Sequence, residues 1–281
     1  MDFQSLARLA PLPEIVHPRG ARILVASDRD ELSRYAAELF VTLAQRAGDV
    51  EGERFTVALA GGETPRYLYS LLASPEYAPR VPWARVHVFW GDERYVPPDD
   101  PASNYRMADD ALLSRVPIPP ENVHRIRAEL PDAHEAARIY EDELRGFCGL
   151  QPSELPRFDL VLLGMGADGH TASLFPHTDA LHDREHLVAA PWVEKLNTYR
   201  LTLTPRVLNN AATVAFLVSG EGKAATLHAV LEGRQHPEPA AGRSRTDLLP
   251  AQLIAPTNGT LLWLVDQAAA VQLQRQPTRG S

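Results

Sequence analysis

The chain has 281 residues, 44% of them hydrophobic and 23% charged, with a formal net charge of −8. This composition excludes a disordered or collagen-like chain, and the acidic balance argues against non-specific nucleic-acid binding. There is no apolar run of ~18 residues to predict a membrane span, and no basic segment followed by an apolar one to predict a signal peptide.

Residues 22–26 read as the first strand. Ser27 or Asp28 can cap the helix that follows, through about residue 47. Its apolar positions Leu32, Tyr35, Ala36, Leu39, Phe40 and Leu43 keep the 3.6-residue period. A second strand, 55–60, runs into Gly61-Gly62-Glu63-Thr64-Pro65. Thr64 suits the N-cap and Pro65 the first position of a helix over 65–73. Two glycines, a hydroxyl and a helix N-terminus suit a phosphate, because free backbone N–H groups and the helix dipole favour an anion. The same residues also suit a tight βα turn that needs positive φ.

A third strand, 86–90, ends in Gly91-Asp92-Glu93-Arg94-Tyr95, expected to be a loop. Charges at the carboxyl end of a buried strand serve a site or an ion-pair network. A helix starts at residues 103–107 and ends near Leu113. Residues 122–126 read as a short strand, and 131–148 as a helix ended near Gly149. Cys148 is the single cysteine, which rules out an intramolecular disulfide and suggests a reducing, cytoplasmic setting. At the end of a helical pattern it reads as a small core residue.

Residues 158–163 form an almost unbroken apolar run, as a strand covered on both faces does. Glycines follow at 164, 166 and 169, with Asp168 and His170 among them. Gly164-x-Gly166-x-x-Gly169 matches the dinucleotide fingerprint as a string. That fingerprint needs a helix after its third glycine, and Pro176 arrives seven residues later in loop sequence. A nicotinamide cofactor is therefore not expected. His177, His182 and His186 fall in loop context, and their spacings lack the character of a metal site. They read as solvated, and no metal is expected.

Residues 199–204 alternate as a strand, and Pro205 opens a short helix to 210. A buried strand, 213–219, leads to Gly220-Glu221-Gly222-Lys223 and a helix over 223–232. This is no Walker loop, but Lys223 at such a turn can hold a phosphate as a point charge. Residues 261–265 are the last strand. Alternating strands and helices predict one doubly wound α/β domain over 1–281: a mostly parallel, Rossmann-like sheet with helices on both faces, and loose termini at 1–20 and 274–281. Parallel strands would bring the loops 61–65, 91–95, 164–170 and 219–223 to one sheet edge. The expected assembly is a monomer or small homo-oligomer.

Residues 60–65, 90–96, 103–105, 164–176 and Gly220-x-Gly222-Lys223 together resemble the glucosamine-6-phosphate isomerase/6-phosphogluconolactonase family, in the family's order. Within it they look like the lactonases. Gly91-Asp92-Glu93-Arg94 stands where a deaminase has Asp-Glu-Tyr, and no glutamate follows His170 in the next few residues. The resemblance implies hydrolysis of 6-phospho-D-glucono-1,5-lactone to 6-phosphogluconate, in the oxidative pentose phosphate pathway, without metal or organic cofactor. A deaminase/isomerase and a non-catalytic sugar-phosphate sensor are the alternative readings. On the lactonase reading His170 takes a proton from water, an imidazole being suited to that near neutral pH. Asp168 orients that ring or its turn, and Arg94 is the candidate for the oxyanion. Asp92 binds sugar hydroxyls or positions Arg94. Gly61, Gly62 and Thr64 hold the phosphate, with charge from Lys223 and Arg200.

Overall fold

The structure is a computed structural model that describes residues 11–16, 21–48, 52–233 and 248–273. A short strand β1 (Glu14–Val16) lies antiparallel to β2 (Arg22–Ala26). This corrects the expectation of a loose segment over 1–20, because a sheet edge was open to residues 14–16; residues 1–10, 17–20 and 274–281 lie outside the described residues. Helix α1 (Arg29–Gly48) follows. Asp28 caps it by accepting from the Glu31 N–H at 2.9 Å. Leu32, Tyr35, Ala36, Leu39 and Phe40 are buried, as the period requires.

Strand β3 (Phe55–Leu59), helix α2 (Glu63–Leu72) and strand β4 (Val86–Trp90) come next. Helix α2 begins two residues before the expected start. Gly62 takes the cap position at φ 105°, where no other residue rests easily, and Thr64 lies within the first turn instead of capping it. Asp92–Arg94 is no loop but a strand, β5, because it finds a partner far along the chain. Helix α3 (Asn104–Ala111) is capped by Ser103, and α4 (Ala133–Cys148) by Asp132. Gly149 closes α4 at φ 64°. Cys148 is exposed, which corrects its reading as a core residue; the buried face of α4 is Ala133, Ala136, Ala137, Tyr140 and Leu144. The strand expected at 122–126 is a single bridge between Val123 and Val88.

The rest of the chain contributes β6 (Leu160–Leu163), β7 (Val188–Ala189), β8 (Trp192–Val193), β9 (Thr198–Leu203), α5 (Pro205–Asn209), β10 (Thr213–Val218), α6 (Ala224–Leu231) and β11 (Thr260–Asp266). The main sheet has seven strands in the order β1-β2-β11-β10-β6-β3-β4. Every pairing but β1–β2 is parallel. Every residue of β6 and β10 is buried, so both faces are covered there. Phe216 and Trp263, opposite each other on β10 and β11, stack at 3.8 Å. A second, antiparallel sheet has β9 at its centre, paired with β5, β7 and β8.

The chain order fixes where a ligand fits. From β3 the chain steps outward to β4, then returns to β6 on the other side of β3 and continues to β10 and β11. The direction of winding therefore reverses between β3 and β6. In open α/β sheets the crevice beyond the carboxyl ends of such strands is where ligands bind.

Candidate functional site

Four neighbouring parallel strands, β10, β6, β3 and β4, bring the turns after Val218, Leu163, Leu59 and Trp90 to one edge of the sheet. Two buried tyrosines hold the backbone where β3 and β4 end. Tyr69 Oη accepts from Ala60 N and donates to Ala60 O. Tyr140 Oη does the same at Trp90, with 2.9 and 3.1 Å contacts. The loops thus leave the sheet from clamped positions.

The turn after β6 carries the acid–base pair. His170 Nδ1 lies 2.5 Å from Asp168 Oδ1, and the His170 N–H donates to the same oxygen at 3.2 Å. A carboxylate only accepts, so Nδ1 carries the proton and Nε2 remains the basic nitrogen. The second oxygen of Asp168 pairs with the Lys195 ammonium. Burial pushes the Asp168 carboxyl up, but the hydrogen bonds from Lys195 and His170 outweigh it and hold the group well below the usual carboxylate range. Phe175 packs on the imidazole with centroids 4.2 Å apart. Thr171 Oγ1 donates to Gly164 O, and Ala172 sits at φ 46°, so the segment is a tight turn with no helix after Gly169. The seat for a pyrophosphate that a dinucleotide needs is missing from this turn.

Gly166 has a steric reason to be glycine. A Cβ there would lie 2.1 Å from His170 Nδ1 and 2.7 Å from Asp168 Oδ1. Gly166→Ala must therefore displace one partner of the pair. If His170 is the base that the family resemblance implies, the expected result is a folded protein whose kcat falls by about tenfold or more, since the added methyl forces the imidazole out of position. Steady-state kinetics beside a thermal melt would check it.

The turn after β4 becomes β5, and its residues divide between structure and site. Arg94 on β5 lies directly opposite Arg200 on β9. Each guanidinium donates to a carbonyl, Arg94 to Ala102 O at 2.7 Å and Arg200 to Tyr199 O at 3.2 Å. Burial lowers the Arg200 pKa, and the charge of Arg94 lowers it further. Two facing cations are costly on paired strands, and an anion between them would relieve the cost. The buried Asp92 accepts from Ser173 Oγ at 2.7 Å, and Ser173 N donates to Thr202 Oγ1 on β9 at 3.3 Å. Asp92 is thus tied to the His170 turn three residues beyond the imidazole.

Glu93 is a residue that the reading of the sequence did not single out. Its buried carboxylate accepts from the backbone N–H groups of Arg94, Asn104 and Tyr105, at 2.8, 2.7 and 2.8 Å, and from Ser103 Oγ at 3.1 Å. It satisfies the start of α3, where N–H groups have no helical partner. Asn104, held there, donates through Nδ2 to Asp92 O at 2.8 Å and packs against Gly61 so closely that a Cβ on Gly61 would fall 2.0 Å from Asn104 Oδ1. Gly61, Gly62 and Thr64 occupy the turn and first helical residues after β3, and the carbonyl of Gly61 faces Gly164 across the crevice. Lys223 lies on the turn after β10, whose Gly220 N–H donates to both oxygens of Asp266 at 3.0 Å. Thr226 of α6 donates to Ala167 O at 2.7 Å, which brings the start of α6 against the His170 turn.

A family profile described as "Glucosamine-6-phosphate isomerases/6-phosphogluconolactonase" matches residues 27–263. The chain belongs to this family. It is 42% identical over 250 residues to a 6-phosphogluconolactonase of Nostoc sp., covering 89% of this chain and 97% of that one. It is 38% identical over 213 residues to a 6-phosphogluconolactonase of Haemophilus influenzae, covering 76% of this chain and 85% of the relative. The solved 6-phosphogluconolactonase from Trypanosoma cruzi superposes with a TM-score of 0.77 at 28% identity, over 92% of this chain and 99% of the other. A monomeric glucosamine-6-phosphate deaminase superposes at 0.72 with 19% identity, over 89% of this chain and 99% of the other, which shows a shared fold.

A hollow of about 1080 Å³ lies elsewhere in this chain, between α4 and residues 177–192. None of the nine expected site residues lines it. His177, His182 and His186 border it, and His186 Nδ1 lies 3.0 Å from Asp183. Among the described residues no group of three His, Cys, Asp or Glu side chains is placed to hold a metal. Roominess is no guide to chemistry here: the His186 imidazole in the hollow is exposed, whereas the Asp168–His170 pair at the winding reversal is part-buried. No helix among the described residues is long and apolar enough to cross a membrane.

Proposed function

We propose that the chain hydrolyses 6-phospho-D-glucono-1,5-lactone to 6-phosphogluconate, the lactone-opening step of the oxidative pentose phosphate pathway. The observation that carries this reading is the 2.5 Å Asp168–His170 contact in the turn at the β3/β6 reversal, which leaves Nε2 as a base. The family's lactonase relatives support the substrate.

His170 Nε2 takes a proton from water as the water oxygen bonds to the lactone carbonyl carbon. The carbonyl π electrons move to oxygen, and Arg94 stabilises that oxyanion. Collapse re-forms the carbonyl and breaks the bond to the ring oxygen, which takes the proton back from the imidazolium. The product acid then loses its own proton to solvent. Asp168 keeps the ring in one tautomer and stabilises the imidazolium. Asp92 positions the His170 turn through Ser173 and meets the sugar hydroxyls. Gly61, Gly62 and Thr64 hold the phosphate, with Lys223 and Arg200 supplying charge. No step in this scheme calls for a metal or organic cofactor.

The test is turnover of freshly generated lactone, read as 6-phosphogluconate formed and corrected for spontaneous hydrolysis. Catalysis well above the blank is the expected result. Ammonia release from glucosamine 6-phosphate would favour the deaminase reading, and binding of 6-phosphogluconate without turnover would favour a sensor. Residues 171–176 contain no carboxylate to extend the Asp168–His170 pair, which is why the deaminase reading is the weaker one.

Phosphate contacts are nearly the same in ground and transition states. Lys223→Ala should therefore raise KM with little change in kcat. An unchanged KM for the phosphorylated lactone would remove Lys223 from the site.

A further inference from the structure

Lys195 lies outside every motif described above, in the turn between β8 and β9. Its ammonium pairs with Asp168 Oδ2 and stands 4.5 Å from the centre of the Phe175 ring. Phe175 in turn packs on the imidazole of His170, and Asp168 Oδ1 takes Nδ1 of the same ring. One lysine therefore touches both groups that confine the imidazole. We propose that Lys195 is a positioning residue for the base: it holds the second oxygen of Asp168, so that the first stays on His170 Nδ1 and Nε2 is kept as the proton acceptor. The proposal deepens the lactonase reading and rests on it for its kinetic consequence.

The turn itself cannot do this alone. Its backbone holds Asp168 Oδ1 only by the His170 N–H at 3.2 Å, and the last torsion of an aspartate is soft, so a carboxylate with no grip on Oδ2 can still swing and exchange its oxygens. An imidazole whose Nδ1 loses its acceptor populates the other tautomer, in which Nε2 carries the proton and cannot act as the base. Lysine is a flexible tether, but the aromatic face of Phe175 localises its charged head. The anchor also comes from a different part of the chain. Lys195 follows β8, which pairs with β9, and β9 pairs with β5, which carries Arg94. The second sheet thus fixes the base from one side and the oxyanion arginine from the other. Lys195 faces a carboxylate that is ionised and already bound, whereas Lys223 makes no ion pair among the described residues. That separates an internal anchor from a phosphate grip.

Lys195→Met keeps the length of the stem and removes the charge. At a pH where the imidazole is neutral, long-range proton–nitrogen NMR, with His170 assigned by the His170→Asn spectrum, should show the Nδ1–H tautomer in the wild type. The Lys195→Met protein should show a mixture of tautomers. Its kcat should fall about 10-fold or more, by analogy with outer partners that orient metal-binding histidines, while KM changes by less than about twofold. Lys195→Arg should restore both the tautomer and most of the rate. An unchanged tautomer in Lys195→Met would overturn the proposal. So would a raised KM at unchanged kcat, which would make Lys195 a phosphate contact. If the wild type turns over no lactone, it is the function reading that fails, and the NMR comparison still decides the role of Lys195.

Discussion

His170→Ala should lose ~10²–10⁴ of kcat, the usual worth of a positioned acid–base group. The protein should remain folded, because the imidazole is partly exposed and its ring contact is with Phe175 at the rim of the turn. KM should hold if, as proposed, the phosphate is gripped by groups on the turns after β3 and β10 and by Arg200. His170→Asn should be as poor as alanine: an amide can hydrogen-bond water but cannot take its proton. Rates must be corrected for spontaneous opening of the lactone, which sets the floor. A folded His170→Ala protein that keeps most of its turnover would sink the mechanism. The base would then have to be a carboxylate, and the two nearby are poorly suited. Asp168 is held well below the usual range by its partners, and Asp92 is buried against Ser173.

The main sheet was legible because its inner strands are apolar along most of their length, β6 along all of it, as a strand covered on both faces is. The turns were legible for a related reason. Glycines and charges directly after such a strand have no packing purpose, so Asp168, His170 and Lys223 stood out. The second sheet was not legible as a sheet. Asp92–Arg94 is three charged residues with no period, and it becomes a strand only because β9 lies beside it more than a hundred residues later. The start of α2 was misplaced for a local reason. Thr64 and Pro65 carry the usual signals for the cap and first position, but Gly62 at positive φ turns the chain earlier. Lys195 carried no signal at all, because a lone lysine in a polar turn reads as solvated and its partner is 27 residues away. The division of labour between Asp92 and Glu93 was equally hidden: two adjacent acids read alike until the helix whose first N–H groups one of them accepts is placed.

Glu93→Ala should destabilise the protein by about 3–5 kcal/mol, because several buried donors lose their acceptor at about 1–3 kcal/mol each. Three backbone N–H groups and the Ser103 hydroxyl lose their acceptor together, at a site where Glu93, Ser103 and Asn104 are all buried. Against a typical total of about 5–15 kcal/mol, that is a large fraction of the fold's stability. Glu93→Gln should cost less, because one oxygen remains to accept while the new amide hydrogens face other donors. The pH dependence separates the effects. Burial raises the Glu93 pKa above its ordinary value, and outweighs the hydrogen bonds from Asn104, Tyr105 and Arg94 that lower it. A raised carboxyl contributes stability that is complete below its unfolded value of about 4.5 and is lost as pH rises through the folded value. The stability gap between wild type and Glu93→Gln, measured by urea unfolding, should therefore widen toward acid pH. A gap that narrows on acidification would mean that the carboxylate, not the acid, is the form the fold prefers. Activity should follow the loosening, because α3 presents Asn104, and Asn104 is what holds Asp92 O and packs Gly61 at the crevice. Glu93 never meets the substrate, yet its loss should disturb the turns after β3 and β4 at once.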